Sequence, residues 1–195
     1  MTKDLTQGKI TPLLVKFTIP LLFGNIFQLM YNSVDSIIVG QLVGKEALAA
    51  VGTSNPLMTL AILFVNGMCI GASILMGTQY GAKKMDVLKR QISTTMIAGI
   101  VFSIAVTLFC ILFARPLLLL IRVQEEVLPL AVSYLRIVFL GFIFTFIYNF
   151  FACTLRALGD SKTPLYFLVT SAFLNIFGDL FFVVVLRWGV AGSAI

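Results

Sequence analysis

The chain has 195 residues, 59% of them hydrophobic and 11% charged, with a mean hydropathy of +1.05. A soluble domain carries about a quarter of its residues as charges, so that class is excluded. The net charge of +6 is spread by loop, which indicates membrane orientation and no nucleic-acid partner, and the absence of histidine excludes histidine-ligated metals, Ser-His-Asp or Cys-His catalysis and histidine proton relays.

Cys69, Cys110 and Cys153 stand singly in apolar runs without metal-ligand spacing and read as packing thiols. No nucleophile and base, and no metal set, marks an enzyme. No resident cofactor is expected.

Lys3, Lys9 and Lys16 precede a first apolar run that continues to about residue 39 without a cleavage site, an uncleaved span. Within it Asn25, Gln28, Asn32 and Asp35 recur at steps of three, four and three, which places them within about 80° of arc on a helix. Core packing does not select four polar residues along one line, so the stripe reads as the lining of a wet cavity, with interhelical hydrogen bonding as the alternative. Pro20 removes one helical hydrogen bond and Gly24 adds slack, which predicts a kink that serves as a hinge or stays static.

Residues 40–52, bounded by glycines and bearing Lys45 and Glu46, are expected to form a short amphipathic connector at the interface. Asn55-Pro56 then opens a second span to about residue 79, with Asn66 and Ser73 on one face. In it Gly67 and Gly71, then Gly77 and Gly81, have the spacing that permits close helix approach. Residues 81–90 hold Lys83, Lys84, Lys89 and Arg90 against Asp86, a basic loop of cytoplasmic character. A third span covers about 92–114 and is stopped by Arg115-Pro116, leaving 117–121 along the interface.

Glu125 and Glu126 precede Pro129 and a fourth span over about 130–155. In it Arg136 snorkels or meets an acid, and Tyr148 and Asn149 are candidates for the cavity. Gly159 closes that helix, and Thr163-Pro164 starts the fifth as cap and first-turn proline. Residues 164–186 are apolar except for a strip of Ser171, Asn175, Gly178 and Asp179 within about 100° of arc. An ionised carboxylate at mid-membrane costs about 2.5–3.5 kcal/mol, so Asp179 requires a cavity, a partner or a proton. After Arg187-Trp188-Gly189, residues 190–195 begin another apolar run, so the sequence is expected to stop at the start of a sixth helix. The fold class is all-α: a polytopic membrane bundle of about five complete transmembrane helices plus the start of a sixth. With the N-terminus cytoplasmic, nine of the fourteen Lys and Arg fall inside and five outside, the favoured bias.

The order IPLLFGN, QLMYNSVDSIIVGQLVGKEALAAVG, GAKK, YLRI, LRALGDSKTP, and LNIFGDLFF followed by GVAGSAI resembles the N-terminal lobe of a MATE (multidrug and toxic compound extrusion) transporter of the DinF-type branch. The resemblance implies two six-helix lobes around a central cavity, with residues 1–195 forming the first lobe up to its sixth helix. It implies secondary active antiport, exporting amphipathic, often cationic drugs or toxic metabolites in exchange for H+ or Na+. Asp35, Asn175 and Asp179 match the cation or proton site, so Na+ at these three is the only metal implied. Gln28, Tyr31 and Asn32 match positions near bound substrate, and Pro20 matches the proline at which the first helix bends. The implied partners are membrane lipid, drug-like cations, the coupling ion and a second six-helix lobe, in a prokaryotic plasma membrane. Two alternatives stand beside this: a truncated lobe with a structural or regulatory role, and a lipid-linked substrate flippase of the same superfamily. The flippase needs cationic cavity residues to hold phosphate, where this chain offers acids.

Overall fold

The apolar runs become helices. In the computed structural model every regular element among the described residues is helical. Described are residues 10–38, 40–41, 44–186, 188 and 192, leaving aside the side chains of Ile10, Tyr31, Asn32, Asp35, Asp179 and Val184. Lys3, Lys9, Arg187 and, apart from Gly192, the expected start of a sixth helix lie outside the described residues. The helices are α1 (Ile10–Ile38), α2 (Lys45–Gly81), α3 (Met85–Leu120), α4 (Leu128–Leu140), α5 (Phe142–Ala157) and α6 (Lys162–Asp179). A π-helical segment, Leu180–Val185, continues α6. Four stretches are long and apolar enough to cross a membrane, and α4 with α5, bent by 46°, make a fifth. Exposed Leu63, Phe64, Ile97, Leu112, Phe144 and Leu174 give these helices outer surfaces suited to lipid chains. The chain is a multi-pass membrane protein.

Three boundaries differ from the sequence reading. The expected connector and second span form one helix of 37 residues that runs through Pro56. The third span continues through Pro116 to Leu120, so residues 117–120 end a helix and are not an interfacial segment. A proline removes one donor, whereas ending a helix in apolar surroundings exposes several backbone groups, so the helix runs on. The fourth span, read as one, breaks at Gly141. There the Thr107 hydroxyl on α3 donates to the Phe139 carbonyl at 3.0 Å, supplying a side-chain donor where the helix changes direction.

Helix α5 closes at Gly159 (φ +86°) as predicted. The Gly159 N–H donates to the Arg156 carbonyl at 3.0 Å and the Asp160 N–H to the Leu155 carbonyl at 2.9 Å, a Schellman ending. Helices α2 and α3 end in the same way with Lys83 and Arg122, both at φ 58°, in the position glycine usually takes. A cation at the negative end of a helix offsets part of the roughly 1–2 kcal/mol that left-handed backbone costs a residue with a side chain.

Helix α6 begins at Lys162, and its cap is Asp160, not Thr163. Asp160 Oδ1 accepts the N–H groups of Lys162 and Thr163 at 3.1 Å each, and Oδ2 accepts the Thr163 hydroxyl at 2.7 Å. Burial pushes the Asp160 carboxyl up, but the bonds from Thr163 and Lys162 outweigh it and hold the group below the usual carboxylate range. The folded value therefore lies below the unfolded value of about 3.9, so the stabilisation is complete above about pH 4 and fades as pH falls through the folded value. Asp160→Ala is expected to cost about 1 kcal/mol at pH 7, as for other lost caps, with the gap to wild type narrowing below pH 4. Denaturant unfolding at pH 7 and pH 3.5 measures this. A gap that does not change with pH would remove the carboxylate from the account.

The core lies among α2, α3, α4 and α5, which pack on one another. Val65, Cys69 and Met76 of α2 join Leu118 of α3, Leu135 and Phe139 of α4, and Phe146 and Phe150 of α5, each at most 1% exposed. Gly67 and Gly71 face open space, contrary to the expected close approach, while Gly77 lies against the Ala157 carbonyl. The closest approach is at Gly99 of α3, where a Cβ would overlap the Phe146 ring. Cys69 and Cys153, read separately in the sequence, lie in one buried cluster across the α2–α5 interface. Helix α1 packs against α6, beside this bundle, and α6 in turn touches α5.

Candidate ion and substrate site

The α1–α6 pair carries most of the candidate residues. Gly24 lies at the contact, with Leu165 and Leu168 each 3.6 Å from where a Cβ would stand, an ordinary packing distance. Helix α1 is unbroken through the half-buried Pro20.

Directions follow from the packing. Helices α2 and α5 end side by side, with the Thr154 hydroxyl donating to Met76 Sδ at 3.6 Å and Gly77 against Ala157. The second and fourth spans therefore run the same way, and in a chain that reverses at each connection so do the first and fifth. Gly24 on α1 faces the turn from Leu165 to Leu168 on α6. Asp35 lies eleven residues beyond Gly24, and Asp179 lies eleven beyond Leu168 and fourteen beyond Leu165, climbs of about 16 to 21 Å in the same direction along the two helices.

Not every candidate is equally engaged. Asn25, Gln28 and Asn175 are exposed; the side chains of Tyr31, Asn32, Asp35 and Asp179 lie outside the described residues. Asn149 is half-buried on α5, and its amide donates to the Thr145 carbonyl of its own helix at 2.8 Å. Arg136 is exposed, and its Nε donates to the Ile111 carbonyl of α3 at 3.3 Å.

The sequence reading missed the change of helix type at the site. Asp179 is the last α-helical residue, and the π-helical turn begins at Leu180, with the Leu186 N–H donating to the Phe181 carbonyl at 3.0 Å. Such turns recur at functional sites because they rotate side chains and loosen the backbone ladder. Beyond it Trp188 stacks on Phe182 with ring centres 5.3 Å apart. No run of residue types announces a π turn; Gly178 before it is the only local cue.

The MatE family model matches residues 20–181. "Probable multidrug resistance protein YpnP" of Bacillus subtilis (strain 168) is 34% identical over 191 residues, 98% of this chain and 43% of that protein. A solved structure described as "Crystal structure of MATE in the straight conformation" has a TM-score of 0.90 at 27% identity, covering 100% of this chain and 44% of its own. One described as "Crystal structure of MATE in the bent conformation" has a TM-score of 0.88 at 27% identity, covering 96% and 42%. The chain spans less than half the length of these proteins.

Proposed function

The chain belongs to the MatE family, and on that premise we propose that it forms one lobe of a secondary active exporter. Asp35, Asn175 and Asp179 hold the coupling H+ or Na+, and amphipathic cations occupy the cavity beside Gln28, Tyr31, Asn32 and Asn149. A second six-helix lobe closes the cavity, and the N-terminus and the turns at 82–84 and 158–161 are cytoplasmic.

The observation that carries this reading is that α1 and α6 pack on each other and each bears an acid beyond the contact of Gly24 with Leu165 and Leu168, on the same side of it. Acids on two packed helices in an apolar medium suit an ion site, since either alone is a costly charge. The π turn after Asp179 supports a site whose backbone shifts between states. Pro20 and Gly24 give α1 a place to bend, and neighbours described in straight and bent conformations fit a fold that takes more than one shape. One monovalent ion entering through 100 mV releases about 2.3 kcal/mol, while exporting a monovalent cation against that potential and a hundredfold gradient costs roughly 5.0 kcal/mol. Two ions per cycle suffice once the ion's own concentration gradient adds to the potential.

Ion entry at Asp35 and Asp179 then weakens drug binding, and linkage makes the effect reciprocal. The test is drug binding to the purified two-lobe protein across pH and sodium concentration. Affinity is expected to fall as the coupling ion rises; an affinity indifferent to both ions would end the antiport reading.

A further inference from the structure

Four helix ends meet at one face of the bundle: α2 and α5 finish there, and α3 and α6 begin. The contacts of Gly77 with Ala157 and of Met76 with Thr154 bring the turns at 82–84 and 158–161 to the same end. This face carries Lys83 and Lys84 in the first turn, Lys89 and Arg90 early in α3, Arg156 in the last turn of α5 and Lys162 at the start of α6, all exposed. Among the described residues of these four helix ends, two acids stand against the six cations. Asp86 is exposed, and the buried carboxylate of Asp160 is taken up by Lys162 and Thr163. At the opposite end, among the described residues, Lys45, Arg115, Arg122 and, deeper, Arg136 stand with Glu46, Glu125 and Glu126, all exposed, four cations to three acids.

Depth narrows the partner. Met85, Val87, Tyr166 and Phe167 are exposed within about one helical turn of the cations, and aromatic and apolar groups in that position lie at the edge of the hydrocarbon. The cations stand at that edge, at the level of lipid phosphates, and do not project into water as a nucleic-acid surface requires. Arg156 offers a planar fork for phosphate oxygens and the lysines offer mobile point charges.

We propose that this face is a binding site for an anionic phospholipid, its phosphate held between the turns by Lys83, Lys84, Arg156 and Lys162. Lys89 and Arg90 extend the same surface along α3. The site is separate from the acids of the α1–α6 pair and does not depend on the transport reading.

Native mass spectrometry of the full chain in neutral detergent tests this with phosphatidylglycerol and phosphatidylcholine of equal chain length. Wild type is expected to retain phosphatidylglycerol at least about tenfold over phosphatidylcholine, since each cation near a phosphate contributes on the order of tenfold or less. Lys83→Gln/Lys84→Gln/Arg156→Gln should lose that preference. Lys45→Gln/Arg115→Gln/Arg122→Gln at the other end should keep it, and Lys83→Arg/Lys84→Arg should retain it. Equal retention of the two lipids by wild type, or equal loss in both triple variants, would overturn the proposal. Displacement by millimolar inorganic phosphate or glycerol phosphate would overturn the lipid assignment and leave a free-phosphate site.

Discussion

Asp179→Asn, made in a two-lobe transporter that contains this chain, is expected to lower ion-driven efflux about 5- to 150-fold, the range of coupling between two linked sites, with membrane levels unchanged. Asparagine keeps the size and one acceptor of the carboxylate but takes up neither a proton nor the full charge of a sodium ion. The variant therefore removes the difference between ion-loaded and ion-free states without opening a hole. Asp35→Asn should behave alike, because Asp35 stands on the helix packed against α6 and is proposed to share the site with Asp179. Combining the two should add little to either, since both act on one site. Asp179→Glu keeps the charge and should retain part of the coupling. Efflux in cells, with protein level quantified alongside, decides the matter: full ion-dependent efflux in both asparagine variants would reduce the acids to structural groups.

The second large effect concerns folding. Gly99→Ala places a methyl group on the ring of Phe146, which is 1% exposed and has no solvent into which to swing. Phe150 packs beside that ring with centres 5.8 Å apart, so the clash must part α3 from α5. Overpacking of this kind costs about 1–3 kcal/mol, and more where the backbone moves. Phe146→Leu makes room at the price of a looser core, so Gly99→Ala with Phe146→Leu should be more stable than the sum of the single changes implies. Thermal unfolding in detergent measures all three. A Gly99→Ala protein as stable as wild type would show that α3 and α5 do not meet as tightly as described.

Much of this was legible in the chain. Apolar length alone marked five spans, and the polar residues Asp35, Asn175 and Asp179 stood out because each is costly where it lies. Gly159 announced its helix end through the left-handed conformation that it takes. Proline misled twice, at Pro56 and Pro116, because its rule as a helix stop comes from water, where freed backbone groups find partners. The bend at Gly141 was missed because it goes with what another helix offers, as Thr107 offers a donor to Phe139, and the π turn after Asp179 because no local pattern of residue types marks it. The glycine spacing drew attention to Gly67 and Gly71, yet the tight contact belongs to Gly99, whose partner Phe146 is distant in the chain.

The division of packing between the α2–α5 bundle and the α1–α6 pair separates two kinds of mutational tolerance. Buried aromatic and aliphatic side chains are concentrated in the bundle, so substitutions there act on whether the protein folds at all. Helix α1 is almost wholly exposed and α6 contributes few buried side chains, so changes along them leave the bundle standing. Away from Asp35, Asn175 and Asp179, substitutions along the pair are therefore expected to cost less stability than substitutions in the bundle, whose buried core sets whether the chain folds.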